Sequence, residues 1–165
     1  MAEAYATVFE VPAGTRHPTP FSPQLEPEAV GIRISAPPEV SYSPGESALE
    51  GGSFAYVPVS VTYRFSMAYG SRFGVIESHM TVMAVNASSG ASYVAVLQQE
   101  DMAAVPREYP RVPRERLEQS FFTRYFTINL VDHLGLPMEE ATYHVHLGLE
   151  AHQSNVATVV LKKRR

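Results

Sequence analysis

Apolar side chains in this sequence recur at every second position in one segment after another, and that spacing fits strands with one buried face. Val57, Val59, Val61, Tyr63 and Phe65 alternate with Pro58, Ser60, Thr62 and Arg64. Ile76, Met80, Val82 and Ala84 alternate with Glu77, His79 and Thr81. Phe122, Phe126, Ile128 and Leu130 alternate with Thr123, Tyr125, Thr127 and Asn129, with Arg124 as a misfit on the apolar side. Tyr143, Val145, Leu147 and Leu149 alternate with His144, His146 and Glu150. Gly31 to Ala36, Tyr93 to Leu97 and the valine-rich stretch Asn155 to Leu161 complete a set of about seven strands. Helical periodicity is confined to a turn or two between Val112 and Gln119. The expectation is an all-β, two-sheet antiparallel sandwich.

Hydrophobic residues at 45% and charged residues at 18% suit a chain that buries a real core. There is no cysteine, which excludes disulfides, zinc–thiolate and iron–sulfur sites and cysteine nucleophiles, so packing alone must join the sheets. The net charge of −4 offers phosphates no general attraction, so no nucleic-acid partner is expected. The N-terminus lacks the pattern of a secretory signal, and no apolar run approaches membrane-spanning length. No membrane partner and a cytoplasmic location are the expectations.

Eight of the 13 prolines fall between Pro12 and Pro44, a region expected to be extended coil, edge strands or turns. Ahead of it, Tyr5, Thr7, Phe9 and Val11 alternate with Ala4, Ala6 and Val8 as in a strand. The organisation predicted is an extended arm over 1–26 and a sandwich domain over 27–165. A strand on such a tether can pair with its own sheet edge or with another subunit.

The C-terminal segment carries a more particular pattern. Tyr125 to Leu130 is followed by a loop with Leu134-Gly135-Leu136-Pro137, then Ala141-Thr142-Tyr143-His144-Val145, a hairpin loop near His152 to Asn155, and the last strand. This resembles strands E, F and G of immunoglobulin-like and fibronectin-type sandwiches. The resemblance implies a structural role for Tyr143 as the tyrosine corner, its hydroxyl bonded back to the preceding turn, with Val145 in the place of the second cysteine of antibody domains. The chain departs from that pattern in having no tryptophan for strand C and in its long Pro-rich N-terminal region. The family implies fold rather than function.

The sharpest chemical constellation is His144-x-His146-x-x-x-Glu150. On one strand these three share a face, and neighbouring strands C and F would bring Glu77 and His79 beside them. His79, His144, His146 and Glu150 are thus candidate ligands for zinc, nickel or copper. The same residues resemble the first half of the cupin metal motif, but its flanking glycines are replaced by Met138 and Ala157. Asp132-His133 has no serine placed with it, no G-x-S-x-G elbow occurs, and Gly51-Gly52 lacks the lysine of a phosphate loop. Asn86-Ala87-Ser88 fits the glycosylation sequon, and Lys162 to Arg165 is expected to keep the end of an apolar strand soluble. With no catalytic set and no resident cofactor in view, the leading expectation is a non-enzymatic interaction or assembly module. Its partner would be another protein or a second copy, engaged through Tyr5, Thr7, Phe9 and Val11. The alternative is a metal- or small-ligand-binding sandwich that uses the histidine face.

Overall fold

The computed structural model describes residues 14–42, 56–97, 112–137 and 139–164. Among them the strands are β1 (Gly31–Ser35), β2 (Glu39–Tyr42), β3 (Pro58–Ser66), β4 (Thr81–Asn86), β5 (Ser92–Val96), β6 (Phe121–Asn129), β7 (Ala141–Leu149), β8 (His152–Gln153) and β9 (Ala157–Lys163). Short helices α1 (Met67–Gly70), α2 (Arg114–Gln119) and α3 (Leu130–Leu134) and a 3-10 turn at Ile76–His79 punctuate them. The strands form two sheets: a short one ordered β1-β3-β6, and a wide one ordered β2-β9-β7-β4-β5 with β8 on β7. All neighbours are antiparallel except β2 and β9.

The period-two pattern does what the pleat requires. Val59, Val61, Tyr63 and Phe65 on β3 face Val82, Ala84, Tyr143, Val145, Leu147, Val159 and Leu161 of the wide sheet in one hydrophobic core, and every one is essentially fully buried. Hydrophobic burial between two sheets thus replaces a disulfide, as the absence of cysteine demands.

Some boundaries differ from the sequence expectation. The strand predicted from Ile76 begins only at Thr81, because Ile76–His79 closes a 3-10 turn that drops Ile76 and Glu77 into the core. β2 lies in the Pro-rich region and pairs in parallel with β9. The last strand is therefore not a sheet edge; Lys162 reaches Glu39 at 2.8 Å on β2 instead of guarding an open flank. Asn86 of the sequon is buried, and its Oδ1 accepts from the Ser88 and Ser89 amides to shape the β4–β5 turn. The expected arm strand of Tyr5, Thr7, Phe9 and Val11 lies outside the described residues.

The described part of the N-terminal region, residues 14–29, is a strap across the short sheet. Gly14 donates its amide to the Thr127 carbonyl (2.8 Å), and the Thr127 amide donates to the Thr15 carbonyl (3.0 Å). Gly14 has φ 88°, and this two-against-one pairing with a left-handed glycine is a G1-type bulge on the outer edge of β6. Pro23 to Glu28 then cross Thr62, Arg64, Thr123 and Tyr125 on the outward face, enclosing a cleft of about 370 Å³. Ser60, Thr62 and Thr127 point away from the core, yet each is at least 97% buried, at 3%, 1% and 3% exposure.

Candidate functional site

The four predicted metal ligands do not come together. β4 and β7 do pair, but their register sets Met83 opposite His146 and Val85 opposite His144. The outward neighbours of the histidines on β4 are thus apolar, while on the other side His144 Nδ1 lies 3.1 Å from the Thr158 hydroxyl on β9. Glu77, expected beside them, is buried inside. His79 ends the 3-10 turn and stacks on Phe73, with ring centroids 5.0 Å apart. Glu150 lies beyond the end of β7, in a left-handed conformation (φ 53°), and turns to the opposite task of holding Arg72. Among the described residues, no three His, Asp or Glu side chains gather as a metal would need.

Glu150 belongs to an aromatic cluster at one end of the sandwich that the sequence pattern did not reveal. Its carboxylate accepts from Arg72 (3.1 and 3.3 Å) and from the Tyr69 hydroxyl (3.0 Å). Tyr69 packs on Phe65, Phe73 and His152, and the Arg72 guanidinium lies over Tyr69 and Phe73. Burial, with Glu150 assisting, pushes the Tyr69 phenol up to about 12. Phe122 presses so closely on Gly70 that a β-carbon there would sit 2.6 Å from its ring. These contacts hold a strained hairpin turn in place.

A second polar cluster lies between the sheets. Tyr63 donates its hydroxyl to Glu77 Oε1 at 2.5 Å, and Arg16 of the strap reaches the same carboxylate at 3.6 Å. Glu77 is 2% exposed and its Oε2 has no hydrogen-bond partner. Burial raises the Tyr63 phenol far above its ordinary value; the Glu77 charge adds to this, and Arg124 opposes it. Arg124 is the sequence's misfit: it stands opposite Tyr63 on the inward side of β6, and at that outer strand it remains exposed. A charge at an inward position was the available signal that a buried partner existed. Through Arg16 the cluster links the strap to the core.

Tyr143 is fully buried and packs against Tyr93, with centroids 6.1 Å apart. Its hydroxyl has no well-formed hydrogen bond to the preceding turn, and the Asn86 side chain of β4 is the polar group that acts on it. Burial raises its phenol as well. Asp132 and His133 sit on α3, which is capped by the Asn129 side chain and by Gly135. Burial lowers the His133 pKa, with Asp132 opposing.

The outermost strands of the two sheets differ in what occupies their flanks. On β1 the Asn155 side chain takes both Ile34 groups, accepting from its amide (2.8 Å) and donating to its carbonyl (3.0 Å). On β6 the Gly14–Thr15 bulge does the same at Thr127. β2 is short, follows Pro37-Pro38 and carries the Glu39–Lys162 pair. Among the described residues nothing pairs with the outer edge of β5, where Val94 and Val96 are 54% and 50% exposed. Val94 continues through Met83 to His146, and Ser92 through Val85 to His144, as two rows across the wide sheet. No helix among the described residues is long and apolar enough to cross a membrane. The chain matches no known protein family, and no characterised protein is detectably similar to it in sequence.

Proposed function

We propose that this chain is a non-enzymatic protein-interaction module built on an immunoglobulin-like sandwich, and that it binds through the β5 edge and the adjoining outward face of the wide sheet. The observation that carries this reading is the uncharged strand Ser92–Val96, whose outer edge pairs with nothing among the described residues and whose valines are half exposed, while the outer strands of the short sheet are plugged. An open sheet edge offers unpaired amides and carbonyls to any extended chain, and proteins that do not use such an edge blunt it with charge, proline or a bulge. The strand order supports the fold assignment. β3 and β6 share one sheet and β9, β7, β4 and β5 the other, as strands B and E, and G, F, C and C′, do in that class.

The test is a photo-crosslinking residue at Val94, with the same residue at Arg33 on β1 as control, in full-length protein exposed to cell extract. A protein adduct at position 94 and none at 33 is the expected result. Equal labelling at both positions, or no adduct at 94, overturns the proposal.

A further inference from the structure

Resting on that reading, we infer that the occupant of the β5 edge is a second copy of this chain, paired antiparallel about a two-fold axis through Val94. The charge distribution argues for a copy. The chain carries a net −4 and is 18% charged, yet from Ser78 to Gln99 it has no Asp, Glu, Lys or Arg. A copy brings the same net negative charge, so a seam between copies is least opposed where neither contributes a carboxylate. β4 and β5 form such a zone, with Thr81, Met83, Val85, Ser92, Val94 and Val96 outward. A charged partner would find nothing there to pair with.

Symmetry supplies the rest. An interface about a two-fold axis must be self-complementary, and in an antiparallel pair of identical strands one residue faces its own copy. With Val94 at the centre, Tyr93 meets Ala95 of the second copy and Ser92 meets its Val96, so all five residues of β5 are paired. The more exposed of the two outward valines then packs on itself, and the wide sheets of two chains join into one. β-branched side chains directly opposite each other favour such a pair, and like charges disfavour it.

The absence of cysteine makes the register directly testable in the full-length chain. Sedimentation of the wild type is expected to show a reversible dimer below roughly 1 mM. Val94→Lys with Val96→Lys is expected to weaken it by about tenfold or more. Single-cysteine variants then read the geometry. Val94→Cys should form an intermolecular disulfide under mild oxidation, because facing residues lie about 5 Å apart at Cα. Ser92→Cys should not, its own copy being roughly 13 Å away along the strands. Circular dichroism and thermal melting of each variant establish that it is folded, and the cysteine pair stands alone if the lysine variant is not. A wild type that stays monomeric throughout overturns the inference, as does a dimer that cross-links through Ser92→Cys but not Val94→Cys. An extract protein captured at position 94 alongside a monomeric wild type overturns the second copy alone and leaves the interaction reading standing.

Discussion

The outward faces of the two sheets are built from the same alternating pattern, yet a strap crosses one while valines at the edge of the other stand half exposed. On the short sheet, Ser60, Thr62 and Thr127 are polar residues at outward positions and are buried; the strap passes over Thr62 and bonds to Thr127. On the wide sheet, Val94 and Val96 are apolar residues at outward positions, and they stand half exposed. Polarity alone would assign these faces the other way round. The strap decides the matter, because Gly14–Thr15 pairs with Thr127 and Arg16 is drawn to the buried Glu77. The lesson is that, among the described residues, exposure follows where the chain lays its strap and plugs rather than polarity alone.

Breaking the anchor is the strongest way to erase that contrast. Glu77→Ala strands Arg16 and the Tyr63 hydroxyl without their acceptor and should cost about 3 kcal/mol in urea unfolding. Hydrogen exchange at the Thr127 amide should accelerate in the same variant, since that amide bonds the strap. Unchanged protection at Thr127 would show that the strap holds without Glu77.

Alkaline pH should loosen the same anchor. Burial and the Glu77 charge hold the proton on the Tyr63 phenol, whose ordinary value is 10.0. A raised folded value means that its contribution is complete below pH about 10 and fades as the pH climbs further. Tyr69, pushed up to about 12, loses its contribution over the same interval, from pH 10 upward. Tyr63→Phe should therefore flatten the fall of stability above pH 10 while lowering stability at neutral pH. An alkaline limb identical to that of the wild type would remove Tyr63 from the account.

Smaller changes sharpen the comparison. Gly14→Ala meets no atom within 4 Å, so its cost is conformational alone, about 1 kcal/mol for a left-handed alanine. Its effect should again concentrate at Thr127. Thr62→Val should be neutral or stabilising by up to about 1 kcal/mol, because its hydroxyl is buried without a partner. Tyr143→Phe should cost no more than about 1 kcal/mol, because its buried hydroxyl has only a poorly formed contact with the Asn86 side chain. A loss larger than that for Tyr143→Phe would restore the tyrosine-corner bond inferred from the family resemblance.

The sites were legible in the sequence only in part. The histidines of β7 share a face as the alternation predicts, but a face is not a cluster. His79 and Glu150 were read on strands and lie in turns, where local hydrogen bonds redirect side chains that a strict period would place. Arg124 was visible as an anomaly, though nothing local tied it to Tyr63 or Glu77. That β5 ends the wide sheet with nothing paired to its outer edge among the described residues was invisible, since a two-residue period does not say which strands lie at an edge.

What the sequence by itself determined is the strand character of its segments and which side of most strands is buried, because a two-residue period is a local property enforced by the pleat. Tertiary structure decided which strands neighbour one another, where Glu77 finds its partners and which edges are plugged. Those outcomes depend on residues far apart in the chain, such as Arg16 with Glu77, Ile34 with Asn155 and Gly14 with Thr127. Local pattern contains no term for such meetings, and among the described residues none of them plugs the outer edge of β5.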